Sequence, residues 1–151
     1  MDETTVHRSR IYRDSPSPWE VHTNARPRRV LVVDDSADNR ETLVALLRMS
    51  GHEVRSASDG HRGIEIARLF QPDVIFLDLR MPGLDGYEVC SRLRLSTVTA
   101  GAKIYALTGY GTDGHLHRSA EVGFDGHLVK PLEPESLSHL LEEETVGVLL
   151  R

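Results

Sequence analysis

The chain is poor in several things at once. It has one cysteine, Cys90, in 151 residues, so it can form no internal disulfide and no multi-thiolate metal site. It has one tryptophan, Trp19, and only two lysines, Lys103 and Lys130, against 16 arginines. No run approaches the roughly 18–20 apolar residues that span a bilayer. The opening "MDETTVHRSRIYRDSPSPWE" lacks the apolar segment of a secretory signal. These absences exclude a disulfide scaffold and a membrane span, and they point to a reducing, cytoplasmic setting. Apolar residues make up 39% and charged residues 27%, ordinary values for one globular domain.

Charge is unevenly spread. Residues 30–151 hold 12 Lys/Arg against 19 Asp/Glu, and an acidic domain argues against nucleic acid as the partner. Residues 1–28 form a polar, slightly basic leader with three of the seven prolines and no apolar periodicity. Such a segment buries too little surface to offset ordering entropy, so it is expected to be disordered.

From residue 29 the texture alternates. "VLVV" (30–33) and "DVIFLD" (73–78) are continuous apolar runs, the mark of strands covered on both faces. "EVRSA" (53–57) is weaker and fits a sheet edge. "AKIYAL" (102–107) and "GHLV" (126–129) complete five strands. Five helices are expected between and after them. The first carries Leu43, Leu46 and Leu47 and stops at Gly51. The second carries Ile64, Ala67 and Phe70 and stops before Pro72. The third carries Val89, Cys90 and Leu93. The fourth is "TDGHLHRSAEVGF", and the last carries Leu137, Leu140 and Leu141 on one stripe. Strict β/α alternation predicts a doubly wound parallel sheet with helices on both faces. The domain is expected over 29–146, and 147–151 form a short apolar tail that either continues the last helix or covers a surface.

In such a sheet ligands sit beyond the carboxyl ends of the strands. The residues there are Asp34 and Asp35 after the first strand, Asp78 ending the third, Thr108 ending the fourth, and Lys130 with Pro131 ending the fifth. Crowded carboxylates raise one another's pKa, and a hard cation such as Mg²⁺ relieves this through oxygen ligands. A hydroxyl and a compact ammonium suit an anionic oxygen. Together the set is suited to a phosphoryl group beside Mg²⁺, the chemistry of an aspartyl phosphate. Each residue also has an ordinary reading. Asp34, Asp35 or Asp38 could cap the first helix, and Asp85 with Gly86 reads as a cap and turn. His115, His117 and His139 read as exposed helix residues, not metal ligands, since positions two apart on a helix do not share a face.

The blocks "VLVVDD", "DLRMPGLDG", "ALTGYG" and "HLVKP" resemble, in order and spacing, the receiver domain of bacterial two-component response regulators. The resemblance implies a flavodoxin-like (βα)5 sheet of order 2-1-3-4-5. It implies that Asp78 is the phosphoacceptor, that Asp35 binds Mg²⁺ directly and Asp34 mainly through water, and that the Arg80 backbone carbonyl is a further ligand. Thr108 would bind the phosphoryl group and move on activation, Lys130 would pair with it, and the Lys130–Pro131 bond would be cis. Gly109, Arg80 and Tyr110 would govern access to the phosphorylated site. His127 stands where the family often has Tyr or Phe as a switch, which would add pH sensitivity. The implied partner is a sensor histidine kinase or a histidine phosphotransfer protein. The implied role is that of a stand-alone receiver without a separate output domain, a signalling phosphoacceptor and not an enzyme. The alternatives are a binding-only pseudo-receiver and a small aspartyl-phosphate phosphohydrolase. The latter would carry D-x-D at one strand end, where this chain has adjacent Asp34-Asp35.

Overall fold

The computed structural model describes residues 27–109 and 121–149, with side chains described up to residue 142. The elements are β1 (Arg29–Val33), α1 (Ala37–Met49), β2 (Glu53–Ala57), α2 (Gly60–Phe70), β3 (Val74–Asp78), α3 (Gly86–Leu95), β4 (Lys103–Thr108), β5 (Gly126–Val129) and α4 (Pro134–Leu149). The five strands form one sheet in the order β2-β1-β3-β4-β5, and every pair is parallel. β2 lies at an edge, as its weak pattern predicts.

The apolar strand runs are explained by what covers them. Successive side chains on a strand point to opposite faces. Leu31, Val33, Ile75, Leu77, Ile104 and Ala106 pack on one face against α2 and α3, through Ile64, Ala67, Val89, Cys90 and Leu93. Val30, Val32, Phe76 and Leu107 pack on the other against Leu43 and Leu47 of α1 and Leu137 and Leu141 of α4. Each fully buried side chain of this size contributes roughly 1.5–3 kcal/mol, so the two layers hold the sheet rigid beneath its rim.

Two expectations need amendment. Asp34, Asp35 and Asp38 do not cap α1. Ser36 does, its side-chain oxygen accepting from the Asn39 N–H. The leader does not stay loose through Arg28. Its N–H donates to Nδ1 of buried His52 at 3.0 Å, and its carbonyl accepts from Glu53, so Arg28 already belongs to the fold. Of the two readings of the tail, the structure has the helix continuing, since α4 runs to Leu149. The fourth expected helix falls largely on residues 110–120, and Trp19 on the leader, both outside the described residues. Among the described residues, no helix is long and apolar enough to cross a membrane.

Candidate phosphoryl and metal site

The site is built by ladder hydrogen bonds that continue one residue past the strands. The Asp34 N–H donates to the Ala57 carbonyl at 3.1 Å, that of Leu79 to Leu107 at 3.3 Å, and that of Lys130 to Thr108 at 2.7 Å. Asp34, Asp78, Thr108 and Lys130 are thereby fixed by backbone at one rim. β1 and β3 are neighbours, so their terminal carboxylates converge. One carboxylate oxygen from each of Asp34, Asp35 and Asp78 lies within 4.8 Å of the others.

Their environments differ. Asp34 is 1% exposed. Its Oδ1 accepts from the Ser36 N–H at 3.0 Å, and its Oδ2 lies 2.9 Å from the Lys130 ammonium. Its carbonyl accepts from the Arg40 guanidinium at 2.8 Å, which ties α1 to the same residue. Asp35 is exposed. Asp78 is 7% exposed; its Oδ1 accepts from the Arg80 N–H at 3.2 Å, and its Oδ2 lies 3.3 Å from Lys130. Burial pushes the Asp78 carboxyl up to about 6, helped by the Asp34 charge and opposed by the Arg80 N–H and Lys130. Burial works against the Lys130 ammonium, but Asp34 and Asp78 overcome it and hold its pKa above the ordinary value. Lys130 therefore stays cationic between two carboxylates.

A cleft of about 120 Å³ opens beside Asp78, lined by Arg80, Tyr87, Thr108 and Gly109 among others. The Lys130–Pro131 bond is cis. His127 is not brought to the rim. It lies in register with Ala106 on the α2/α3 face of the sheet, half-buried, with Nε2 lacking a hydrogen-bond partner. Burial lowers its pKa, so the ring is neutral at neutral pH. His139 is exposed. Tyr110, His115 and His117 lie outside the described residues.

Sequence reasoning missed two supports of the site. Ser36 and Arg40 clamp Asp34, and only the usual preference for serine before a helix pointed to the first. Gly86 is more than a turn residue. It is the first residue of α3, and a Cβ there would stand 2.8 Å from the Leu79 Cα and closer still to the Asp78 carbonyl. Asp85 is the cap expected of it, accepting from the Glu88 N–H at 2.9 Å.

The chain belongs to the response regulator receiver domain family, whose model matches residues 30–142. It is 36% identical over 109 residues to the DNA-binding dual master transcriptional regulator RpaA of Synechocystis, covering 72% of this chain and 45% of that protein. It is 32% identical over 130 residues to the nitrate/nitrite response regulator NarL of Escherichia coli, covering 85% of this chain and 59% of that one. The chain thus spans about half the length of these curated relatives. The chemotaxis protein CheY4 of Vibrio cholerae superposes with a TM-score of 0.75 at 32% identity, covering 78% of this chain and 98% of that one. The receiver domain of a Pseudomonas aeruginosa sensor histidine kinase, with a magnesium ion coordinated in its active-site cleft, superposes with a TM-score of 0.72 at 28% identity, covering 78% and 97%.

Proposed function

We propose that this receiver accepts a phosphoryl group on Asp78 from a phosphohistidine of a sensor kinase or phosphotransfer protein. The supporting observation is that Asp78, buried at the rim beside Asp34 and Asp35, shares the Lys130 ammonium with Asp34. An Asp78 oxygen attacks phosphorus, the P–N bond breaks with its electron pair passing to nitrogen, and the donor leaves as a neutral imidazole that keeps the proton already on its other ring nitrogen. With a pKa near 6, Asp78 is ionised and nucleophilic at neutral pH. Lys130 offsets the charge on a phosphoryl oxygen, and Thr108 donates its hydroxyl to another.

The donor set is all oxygen, with no thiolate or imidazole, and three carboxylates exceed what one ammonium neutralises, which fits Mg²⁺. Asp35, Asp78 and the Arg80 carbonyl would hold the ion, with Asp34 at its outer shell. When bound, Mg²⁺ supplies positive charge that offsets the charge carried by the transferring group. The family is one of signalling phosphoacceptors, so the adduct is the output and rapid turnover is not expected. The rim borders a shallow groove formed by Thr42, Leu46, Pro131 and Leu132, a surface on which a phosphohistidine-bearing protein can press. One free, buried cysteine and such a partner suit the cytoplasm.

The test is incubation with acetyl phosphate and Mg²⁺, followed by intact mass measurement. One phosphoryl adduct is expected, lost in Asp78→Asn and formed more slowly as falling pH protonates Asp78. Sustained phosphate release would instead indicate a hydrolase. No adduct under any condition would indicate a binding-only receiver.

A further inference from the structure

Away from the rim, α2 and α3 enclose a groove of about 420 Å³, lined by His61, Ile64, Glu65, Arg68, Leu69 and Arg92. Its position on the α2/α3 face puts the whole sheet between it and α4. Two features mark it out. First, it is cationic in an acidic domain. Two arginines face one glutamate, and neither the Arg68 nor the Arg92 guanidinium has an ion-pair or hydrogen-bond partner among the described residues. Second, it has exposed apolar side chains in and near it. Leu69, which lines it, is 79% exposed, and Leu95, three positions after Arg92 on α3, is 84% exposed. An exposed leucine alone means little, but paired with unpartnered guanidiniums along one groove it describes a surface for an acidic and apolar segment.

The chain contains such a segment. "LLEEETVGVLL" (140–150) holds its only run of three consecutive acidic residues, followed at once by an apolar stretch. The structure places residues 142–149 in the last turns of α4. α4 has 16 residues, about 24 Å of helix, while the strands have four to six residues, about 13–20 Å. Leu137 and Leu141 anchor it on the sheet, and its last two turns lie beyond that anchor. In its own molecule α4 lies across the sheet from the groove, so it cannot enter it.

We propose that the α2–α3 groove receives the acidic-apolar end of α4, Glu142 to Leu149, from a second copy of this chain. Glu142, Glu143 and Glu144 supply the charge that Arg68 and Arg92 lack, and Val146, Val148 and Leu149 supply apolar surface for Ile64, Leu69 and Leu95. Reciprocal exchange, each chain donating its α4 end to the other, closes as a two-fold dimer and leaves the Asp78 rim free.

A charge-swap experiment tests this by sedimentation of the full 151-residue chain. The wild type is expected to associate reversibly between about 1 and 300 µM and to weaken about tenfold or more on raising salt to about 0.5 M. Arg68→Glu/Arg92→Glu and Glu142→Arg/Glu143→Arg/Glu144→Arg are each expected to remain monomeric alone. Mixed, they restore the dimer, because each acidic tail then meets a basic groove and each basic tail an acidic groove. Arg68 and Arg92 make no ion pair or side-chain hydrogen bond among the described residues, and circular dichroism checks that their reversal leaves the fold intact. A monomeric wild type across this range overturns the proposal and leaves the groove to a foreign acidic partner. Wild-type association by Arg68→Glu/Arg92→Glu, or a mixture that stays monomeric, overturns it as well.

Discussion

Asp78 carries the main conflict in this molecule at the scale of a single residue. Its carboxyl is nearly buried, beside a second buried carboxylate, and only one ammonium and one N–H favour its ionised form. Its folded pKa of about 6 lies above the ordinary 3.8, so the stabilising state is the protonated one. Stability from this group is complete below the ordinary value and is lost as pH rises through about 6. Asp78→Asn removes the charge while keeping the shape. Without Mg²⁺ it is expected to raise stability at pH 7.5 by about 1–3 kcal/mol, with the gain vanishing below pH about 4. Urea denaturation at the two pH values measures this, and a variant no more stable than wild type at pH 7.5 contradicts it. His127 illustrates the opposite sign. Its half-buried ring is held neutral, so any charge change there falls below the ordinary imidazole range.

At the scale of elements, the β3–α3 connection explains why "DLRMPGLDG" is so particular. Arg80 turns back to bond Asp78, Gly83 adopts φ +79°, Met81 and Leu84 bury themselves in the core, and Asp85 starts α3. Gly86 then brings the helix start against the backbone of Asp78 and Leu79, closer than any Cβ allows. Gly86→Ala is expected to cost about 2–4 kcal/mol, because rigid backbone and not a flexible side chain opposes the new methyl. It is also expected to slow Asp78 phosphorylation by displacing the carboxylate. Equilibrium unfolding and the acetyl phosphate reaction check both, and a neutral variant would mean that the connection is softer than its packing implies. The far end of α3 has its own fastening. Arg94 donates to the carbonyls of Gly123, Ala100 and Ala102 and pairs with Asp125 at 2.7 Å, while Asp125 also accepts from the Ile104 N–H. One guanidinium therefore joins α3 to the starts of β4 and β5.

For the whole molecule, strand order decides the chemistry. β1 and β3 are adjacent, so carboxylates 44 residues apart in Asp34 and Asp78 share one site, and Lys130 reaches both from beyond β4. A divalent cation that binds this site in the folded chain and not in the unfolded one stabilises the fold by linkage. Mg²⁺ at about 100 times its dissociation constant is expected to add about 2.7 kcal/mol. The increment should shrink below pH about 6, where a proton on Asp78 competes with the ion, and it should vanish in Asp35→Ala. Thermal unfolding across a Mg²⁺ series reads this directly. A melting temperature indifferent to Mg²⁺ would remove the metal from the site.

Much of this was legible in the residues. Apolar runs at 30–33 and 74–77 require two covering layers, and the spacing of apolar residues marked the inward faces of α1, α2, α3 and α4. The polar residues ending each strand located the rim, because strand ends follow from apolar periodicity and parallel strands all end at one side. Those features depend on neighbours within a turn or two. The rest depends on partners that the chain brings together only after the sheet forms. The Lys130 pairs with Asp34 and Asp78, the Arg94 fastening across to Asp125, the crowding that makes Gly86 obligatory and the basic groove between α2 and α3 all join residues that local periodicity treats as unrelated. Periodicity says which face a side chain occupies; strand order and helix packing say what stands opposite it, and at this rim what stands opposite sets the charge of Asp78.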